Sequence, residues 1–232
     1  MNEAEMMTPF RREESRRKRH ETRRRRTIRS VLAGFLAVLM IAVGVLLWQR
    51  FRPLPGERVA LPDYVTEELL PINRWSRPGI PLEEINGVVI HYVGNPDTSA
   101  EANRNYFASL TDGREGTFAS SHFIVGLEGE VLQCIPLTEI AYASKDRNSD
   151  TLAIEVCHPD ETGEFSDVTY ERVIQLTAWL CHTFELAPET DVIRHYDVTG
   201  KVCPRYYVEQ PEAWERFLAD TEAAVKLLQN AS

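Results

Sequence analysis

The stretch Arg194-His195-Tyr196-Asp197-Val198-Thr199-Gly200-Lys201-Val202-Cys203-Pro204 sets an imidazole and a thiol eight positions apart, with a glycine between them that lets the backbone turn back. A short apolar run, Val192-Ile193, precedes it and reads as a strand end. Upstream, Gly87-Val88-Val89-Ile90-His91-Tyr92 places a second histidine at the end of a buried-strand pattern. Imidazole nitrogen and thiolate sulfur are zinc donors, and two protein donors need at least a third. Two histidines and one cysteine, with a fourth position left to water, form the pattern of a catalytic rather than a structural zinc site. His91, His195 and Cys203 are therefore the candidate metal ligands. His122 reads either as a fourth ligand or as a hydrogen-bonding core residue, and His158 and His182 read as ordinary structural histidines.

These residues need a scaffold, and the pattern around them alternates between strand and helix. Val88–Tyr92 reads as a buried strand, and Thr98–Leu110 as a helix capped by Asp97 or Thr98. Ser121–Gly126 and Glu130–Ile135 flank Leu127-Glu128-Gly129 as a hairpin. Leu152–Cys157 is a strand with Ile154 and Val156 on one face and Glu155 on the other. A carboxylate in an otherwise apolar strand is costly to bury without purpose, so Glu155 is a candidate catalytic group; an ion pair with Arg147 or Arg194 is the alternative. Thr169–Leu186 is an amphipathic helix carrying Val173, Leu176, Leu180 and Phe184, Val192–His195 a last strand, and Glu212–Leu228 a closing helix. The expected fold is α/β, a central, mainly mixed β-sheet flanked by helices, preceded by one N-terminal transmembrane helix.

Charge divides the chain. Residues 1–30 hold eleven Arg and Lys against five Asp and Glu, a net of +6, whereas residues 31–232 hold fifteen against thirty, a net of −15. So acidic a body argues against a nucleic-acid partner, which needs clustered cations. From Val31 to Trp48 every residue is apolar or glycine, and eighteen such residues span about 27 Å as a helix, roughly the hydrocarbon thickness of a bilayer. Trp48-Gln49-Arg50-Phe51-Arg52, directly at the end of the run, offers no small residues for a signal-peptide cleavage site, so the run is expected to be an uncleaved anchor. The excess of arginine on its amino side keeps residues 1–30 cytoplasmic and the rest outside. Residues 49–69 read as a linker and residues 70–232 as the catalytic domain. Six of the thirteen prolines fall between residues 49 and 81, favouring extended chain; Leu69, Leu70, Ile72 and Trp75 need burial where that chain docks. Cys134, Cys157 and Cys181 sit in apolar patterns as small hydrophobes, although a Cys134–Cys157 or Cys157–Cys181 disulfide is open.

The segments IHYVGN (Ile90–Asn95), SSHFIVGLEGEVLQCIPL (Ser120–Leu137), AIEVCHP (Ala153–Pro159) and RHYDVTGKVCP (Arg194–Pro204) together resemble the zinc-dependent N-acetylmuramoyl-L-alanine amidases, which share the fold of phage amidase-lysozymes and peptidoglycan recognition proteins. The preceding NRWSRPG (Asn73–Gly79) is similar to the lead-in of membrane-anchored or secreted members. The resemblance covers roughly residues 70–218. It implies zinc on His91, His195 and Cys203, a carboxylate base at Glu155, and Lys201 at the position of the family's lysine two residues before the last ligand, where it could stabilise the developing oxyanion, with a solvated loop lysine as the plain alternative. Ser121 stands where the phage-lysozyme branch has tyrosine; that branch lacks the strand glutamate, so with Glu155 present this chain resembles the glutamate-using members, and the role of Ser121 is open. The implied activity is cleavage of the amide between N-acetylmuramic acid and L-alanine by zinc-activated water, with peptidoglycan as substrate. The competing reading is a non-catalytic muropeptide-binding sensor on the same scaffold; retention of Cys203 and Glu155 favours the enzyme. No His-Glu-x-x-His occurs to suggest another zinc hydrolase.

Overall fold

The structure is a computed structural model that describes residues 9–231. It divides after Pro53 into two compact units, each taken by itself below.

The first unit is built on one helix, α1 (Pro9–Phe51), of 43 residues, about 64 Å at 1.5 Å per residue. The apolar run lies within it, is long and apolar enough to cross a membrane by length and composition, and has none of its residues buried in the protein. The helix does not stop at the amino edge of that run. It continues back through the basic stretch, supported by Glu13–Arg17, Glu14–Lys18 and Glu21–Arg25 ion pairs at i,i+4 spacing. Residues 1–8 of the expected tail lie outside the described residues.

The second unit is a six-stranded mixed sheet: β1 (Val65–Glu67), β2 (Val88–Tyr92), β3 (Phe123–Val125), β4 (Val131–Gln133), β5 (Leu152–Val156) and β6 (Val192–Arg194), in the order β1-β4-β3-β5-β2-β6. The β3–β4 hairpin is antiparallel and the other pairings are parallel. Its helices are α2 (Ala100–Ser109), α3 (Asp167–Thr183), α4 (Pro188–Asp191), α5 (His195–Thr199), α6 (Arg205–Glu209) and α7 (Pro211–Ala231).

Alternation along each strand sorts side chains to two faces. Ile90, Phe123, Val125, Leu152, Ile154 and Val156 meet Val173, Leu176 and Leu180 of α3 and Trp214, Phe217 and Val225 of α7 in the main core. Ile124, Cys134, Ile135 and Cys157 pack with Ala100 and Phe107 of α2 in a smaller cluster. Full burial of each large apolar side chain contributes about 1.5–3 kcal/mol, so the α3–α7 side dominates the stability of the sheet. The parallel pairs aim the carboxyl ends of β2, β5 and β6 the same way, the end at which open α/β sheets place their ligands.

Several expected boundaries shift for local reasons. The cap of α2 is Ser99, whose Oγ accepts from Ala102 N at 3.1 Å, because the Thr98 hydroxyl turns away to donate to Asn95 O at 2.7 Å. A 3-10 turn, Leu110–Asp112, extends that helix. Helix α3 begins earlier than expected, capped by Ser166, and ends at Thr183 rather than Leu186, with Glu185 in the left-handed region at φ 56°. Strand β6 stops at Arg194 because His195 opens α5.

Residues 54–69, expected as linker, belong to the second unit. Val59, Leu61, Tyr64 and Val65 pack against the main core, and β1 forms an edge strand beside β4. Leu70 is fully buried as expected, but Ile72 is 70% exposed. The NRWSRPG segment is a strap: Asn73 Oδ1 accepts the amides of Trp75 and Ser76, while Arg77 makes a two-pronged bond to Glu139, 2.8 Å on each arm, and donates to Leu70 O at 2.7 Å. All four cysteines are free and buried, so neither disulfide forms.

Candidate active site

Strand register assembles the site. His91 of β2 lies directly opposite Glu155 of the parallel strand β5, so both side chains leave the sheet on the same face. Ile90 pairs with Arg194 on the other flank, which brings His195, one residue on, level with His91. The two imidazole rings sit 4.6 Å apart, centre to centre.

Cys203 arrives by a tight return. Arg194 holds the first turn of α5 through a bidentate pair with Asp197, 3.0 Å and 2.7 Å, while its third nitrogen donates to Tyr207 O at 2.9 Å. Gly200 ends the helix at φ 75°, a left-handed position that glycine takes without strain. The chain then doubles back so that Tyr196 N donates to Cys203 O at 2.9 Å. That turn sets Cys203 Sγ 4.0 Å from His91 Nδ1. The donor atoms of His91, His195 and Cys203 all lie within 4.8 Å of one another, the one such group of three among the described residues.

The chemistry of this donor set fits a metal. His91 and Cys203 are buried and His195 partly so. Burial, reinforced by the neighbouring His195 and Lys201, holds His91 well below the usual imidazole range. Burial and the Lys201 and Lys145 charges lower His195 to about 4. Both rings are therefore neutral, the form that ligates. His195 Nδ1 is buried without a hydrogen-bond partner, and such orphaned groups are rare unless something else satisfies them. Burial and the Glu155 carboxylate raise the Cys203 thiol to about 12; a divalent cation beside it reverses that balance, since a coordinating thiol is deprotonated outright. Soft sulfur with two imidazoles is a zinc set.

Glu155 Oε1 stands 4.0 Å from His91 Nδ1, and Oε2 is buried with no partner. Burial raises this carboxyl to about 8, with Lys201 pulling the other way. Neither alternative partner reaches it, because Arg147 pairs with Asp150 and Arg194 with Asp197. Lys201 is exposed on the loop between Gly200 and Cys203, and its charge bears on both histidines, on Glu155 and on Cys203.

His122 and Ser121 do not join this cluster. His122 Nδ1 accepts from Ala153 N at 3.0 Å and Nε2 donates to Glu139 O at 2.9 Å, so both ring nitrogens are used in the core. The buried Ser121 hydroxyl lies 2.8 Å from Ala153 O and 3.0 Å from Phe123 O, a brace between strands. Sequence reasoning missed Ser144, which contacts His91 from 53 positions away; one serine in the polar run Ser144–Asp150 carries no local signal of that contact.

A sequence profile for the family described as N-acetylmuramoyl-L-alanine amidase matches residues 81–206, more than half of the chain. The chain belongs to this amidase family. It is 30% identical over 172 residues to the N-acetylmuramoyl-L-alanine amidase BlyA of Bacillus subtilis (strain 168), covering 66% of this chain and 45% of the relative. It is 30% identical over 156 residues to the N-acetylmuramoyl-L-alanine amidase CwlL of Bacillus licheniformis, covering 62% and 42%. This amidase-family chain thus spans less than half the length of the curated relatives it matches. Among solved structures, PlyL shares its fold with a TM-score of 0.59 at 19% identity over 69% of this chain and 98% of that one. A mutant endolysin from Bacillus subtilis gives 0.56 at 23% identity over 68% and 97%.

Proposed function

We propose that this amidase-family chain is a zinc-dependent peptidoglycan hydrolase that cleaves the amide between the lactyl carboxyl of N-acetylmuramic acid and L-alanine. The observation that carries the reading is the convergence of His91, His195 and Cys203 beside the unpartnered carboxylate oxygen of Glu155, at the carboxyl ends of β2, β5 and β6. Zinc held by those three residues supplies Lewis acidity toward the scissile carbonyl and acidifies water.

The protein's own groups account for the remaining steps. In its ionised form Glu155 takes a proton from the attacking water and returns it to the departing amine nitrogen of L-alanine, a general acid–base role for a positioned carboxylate. Lys201 provides positive charge for the carbonyl oxygen as it becomes anionic. His91 and His195, held neutral, do not compete for the proton. The reaction passes through no covalent enzyme intermediate: water adds to the carbonyl carbon, the C–N bond breaks, and a lactyl carboxylate and a free amine leave.

In this reading residues 31–48 anchor the chain in the membrane once, with the basic stretch cytoplasmic and the catalytic domain on the wall side. The functional assignment is tested by incubating purified cell wall with the full-length chain, with and without a chelator. New alanine amino termini that disappear on chelation are the expected result. New reducing ends would indicate a glycosidase, and binding without release would indicate a sensor.

A further inference from the structure

Neutral imidazole has one nitrogen that donates and one that accepts, so a histidine ligand works only if its other nitrogen carries the proton. His91 turns Nδ1 toward Cys203 Sγ and Glu155 Oε1, each 4.0 Å away. Its Nε2 points the other way and meets Ser144 Oγ at 3.1 Å, with both side chains buried. We infer that Ser144 is a positioning residue of the metal centre: its hydroxyl oxygen accepts the Nε2–H of His91 and so fixes the tautomer that turns the Nδ1 lone pair to the side where the donor atoms of His195 and Cys203 converge. The inference rests on the zinc reading above.

The hydroxyl can do this because its backbone is held on both sides. Asn148 Oδ1 accepts the amides of Ala143 at 3.0 Å and Ser144 at 2.5 Å. Arg147 N donates to Ser144 O at 3.0 Å, and Thr151 Oγ1 donates to Arg147 O at 2.6 Å. Just upstream, Tyr142 N donates to Ser120 Oγ at 2.9 Å. The 3-10 turn Lys145–Ser149 therefore works as a clasp, closed by Asn148, that carries Ser144 against the back of the His91 ring. Without an acceptor there, the buried ring is free to place its proton on Nδ1, where the donor set needs a lone pair. Partners of this kind, one shell beyond the ligands, typically change metal affinity by about 10–100-fold.

The test uses the full-length chain purified in detergent, with zinc affinity read by competition against a chelator and the melting temperature of the metal-free form read alongside. Ser144→Ala should weaken zinc binding by about 10–100-fold while the metal-free melting temperature stays within a degree or two of wild type. Asn148→Ala, which keeps the Ser144 hydroxyl but opens the clasp that positions it, should weaken binding in the same direction. In nitrogen-15 spectra of the zinc-loaded protein, the His91 ring N–H proton should be slow to exchange in wild type and lost or shifted in Ser144→Ala. Unchanged zinc affinity in folded Ser144→Ala, or an affinity loss matched by a fall in metal-free stability with an unaltered His91 signal, overturns the role of Ser144 alone. Failure of the wild-type chain to bind zinc overturns both this role and the zinc reading.

Discussion

Cys203 differs from the other three cysteines in what it faces rather than in how deeply it is buried. Cys134 and Cys157 pack in the α2-side cluster and Cys181 in the main core, whereas Cys203 lies against a ligand-ready imidazole. Cys203→Ala should therefore abolish zinc binding, and Cys134→Ala and Cys181→Ala should retain about one zinc per chain, as measured by elemental analysis after gentle purification. Glu155 tests chemistry separately from metal. Glu155→Gln keeps shape and removes basicity, so it should retain zinc while losing roughly 10²–10⁴-fold in amide cleavage, the usual size of a general acid–base contribution. A folded variant with near-normal specific activity would remove Glu155 from the base role.

Three parallel strands, rather than any loop, set the positions of His91, Glu155 and, through Arg194, His195. A one-residue slip of β5 would send Glu155 into the α3–α7 core, so the register of Ile90, Ile154 and Val192 in that core protects the site. The strap performs a different task. The Arg77 and Glu139 side chains are only 13% and 16% exposed, and Glu139 O also accepts a hydrogen bond from His122 Nε2. Arg77→Ala leaves a carboxylate largely buried without its partner, and should cost about 3 kcal/mol of stability. Thermal unfolding checks the loss, and zinc affinity in the surviving fold should be unchanged, because neither residue touches the metal cluster. Reduced zinc affinity would show that the strap reaches the site.

Charge and the apolar helix act on the molecule as a whole. The body carries −15 beyond residue 30, so the anionic wall proposed above as its substrate would offer it no electrostatic retention, and the proposed membrane anchor is what would keep it there. If α1 spans the membrane with the basic stretch inside, protease added to intact protoplasts should digest the domain and spare the basic segment. A mature chain that begins after Trp48 would instead identify the apolar run as a cleaved signal.

The types and order of the candidate site residues were legible in the sequence because each sits in a local pattern: His91 closes an apolar run, Glu155 interrupts one, and His195, Gly200 and Cys203 share a single return of the chain. The main sheet segments were legible for the same reason, since burial on one or both faces writes a period into the residues themselves. The hairpin and the amphipathic α3 followed from that period too. What depends on contacts between distant positions left no such mark. β1 is three residues with little burial, and only its pairing with β4 makes it a strand. His122 has the same residue type as the candidate ligands, yet the backbone of Ala153 and Glu139 claims both its nitrogens. Ser144 reaches His91 only because the sheet and the Asn148 clasp bring positions 53 apart within a hydrogen bond. Local periodicity is set by what each residue does to its neighbours along the chain; the partner of a buried polar atom is set by packing, and that exists only once the chain has folded.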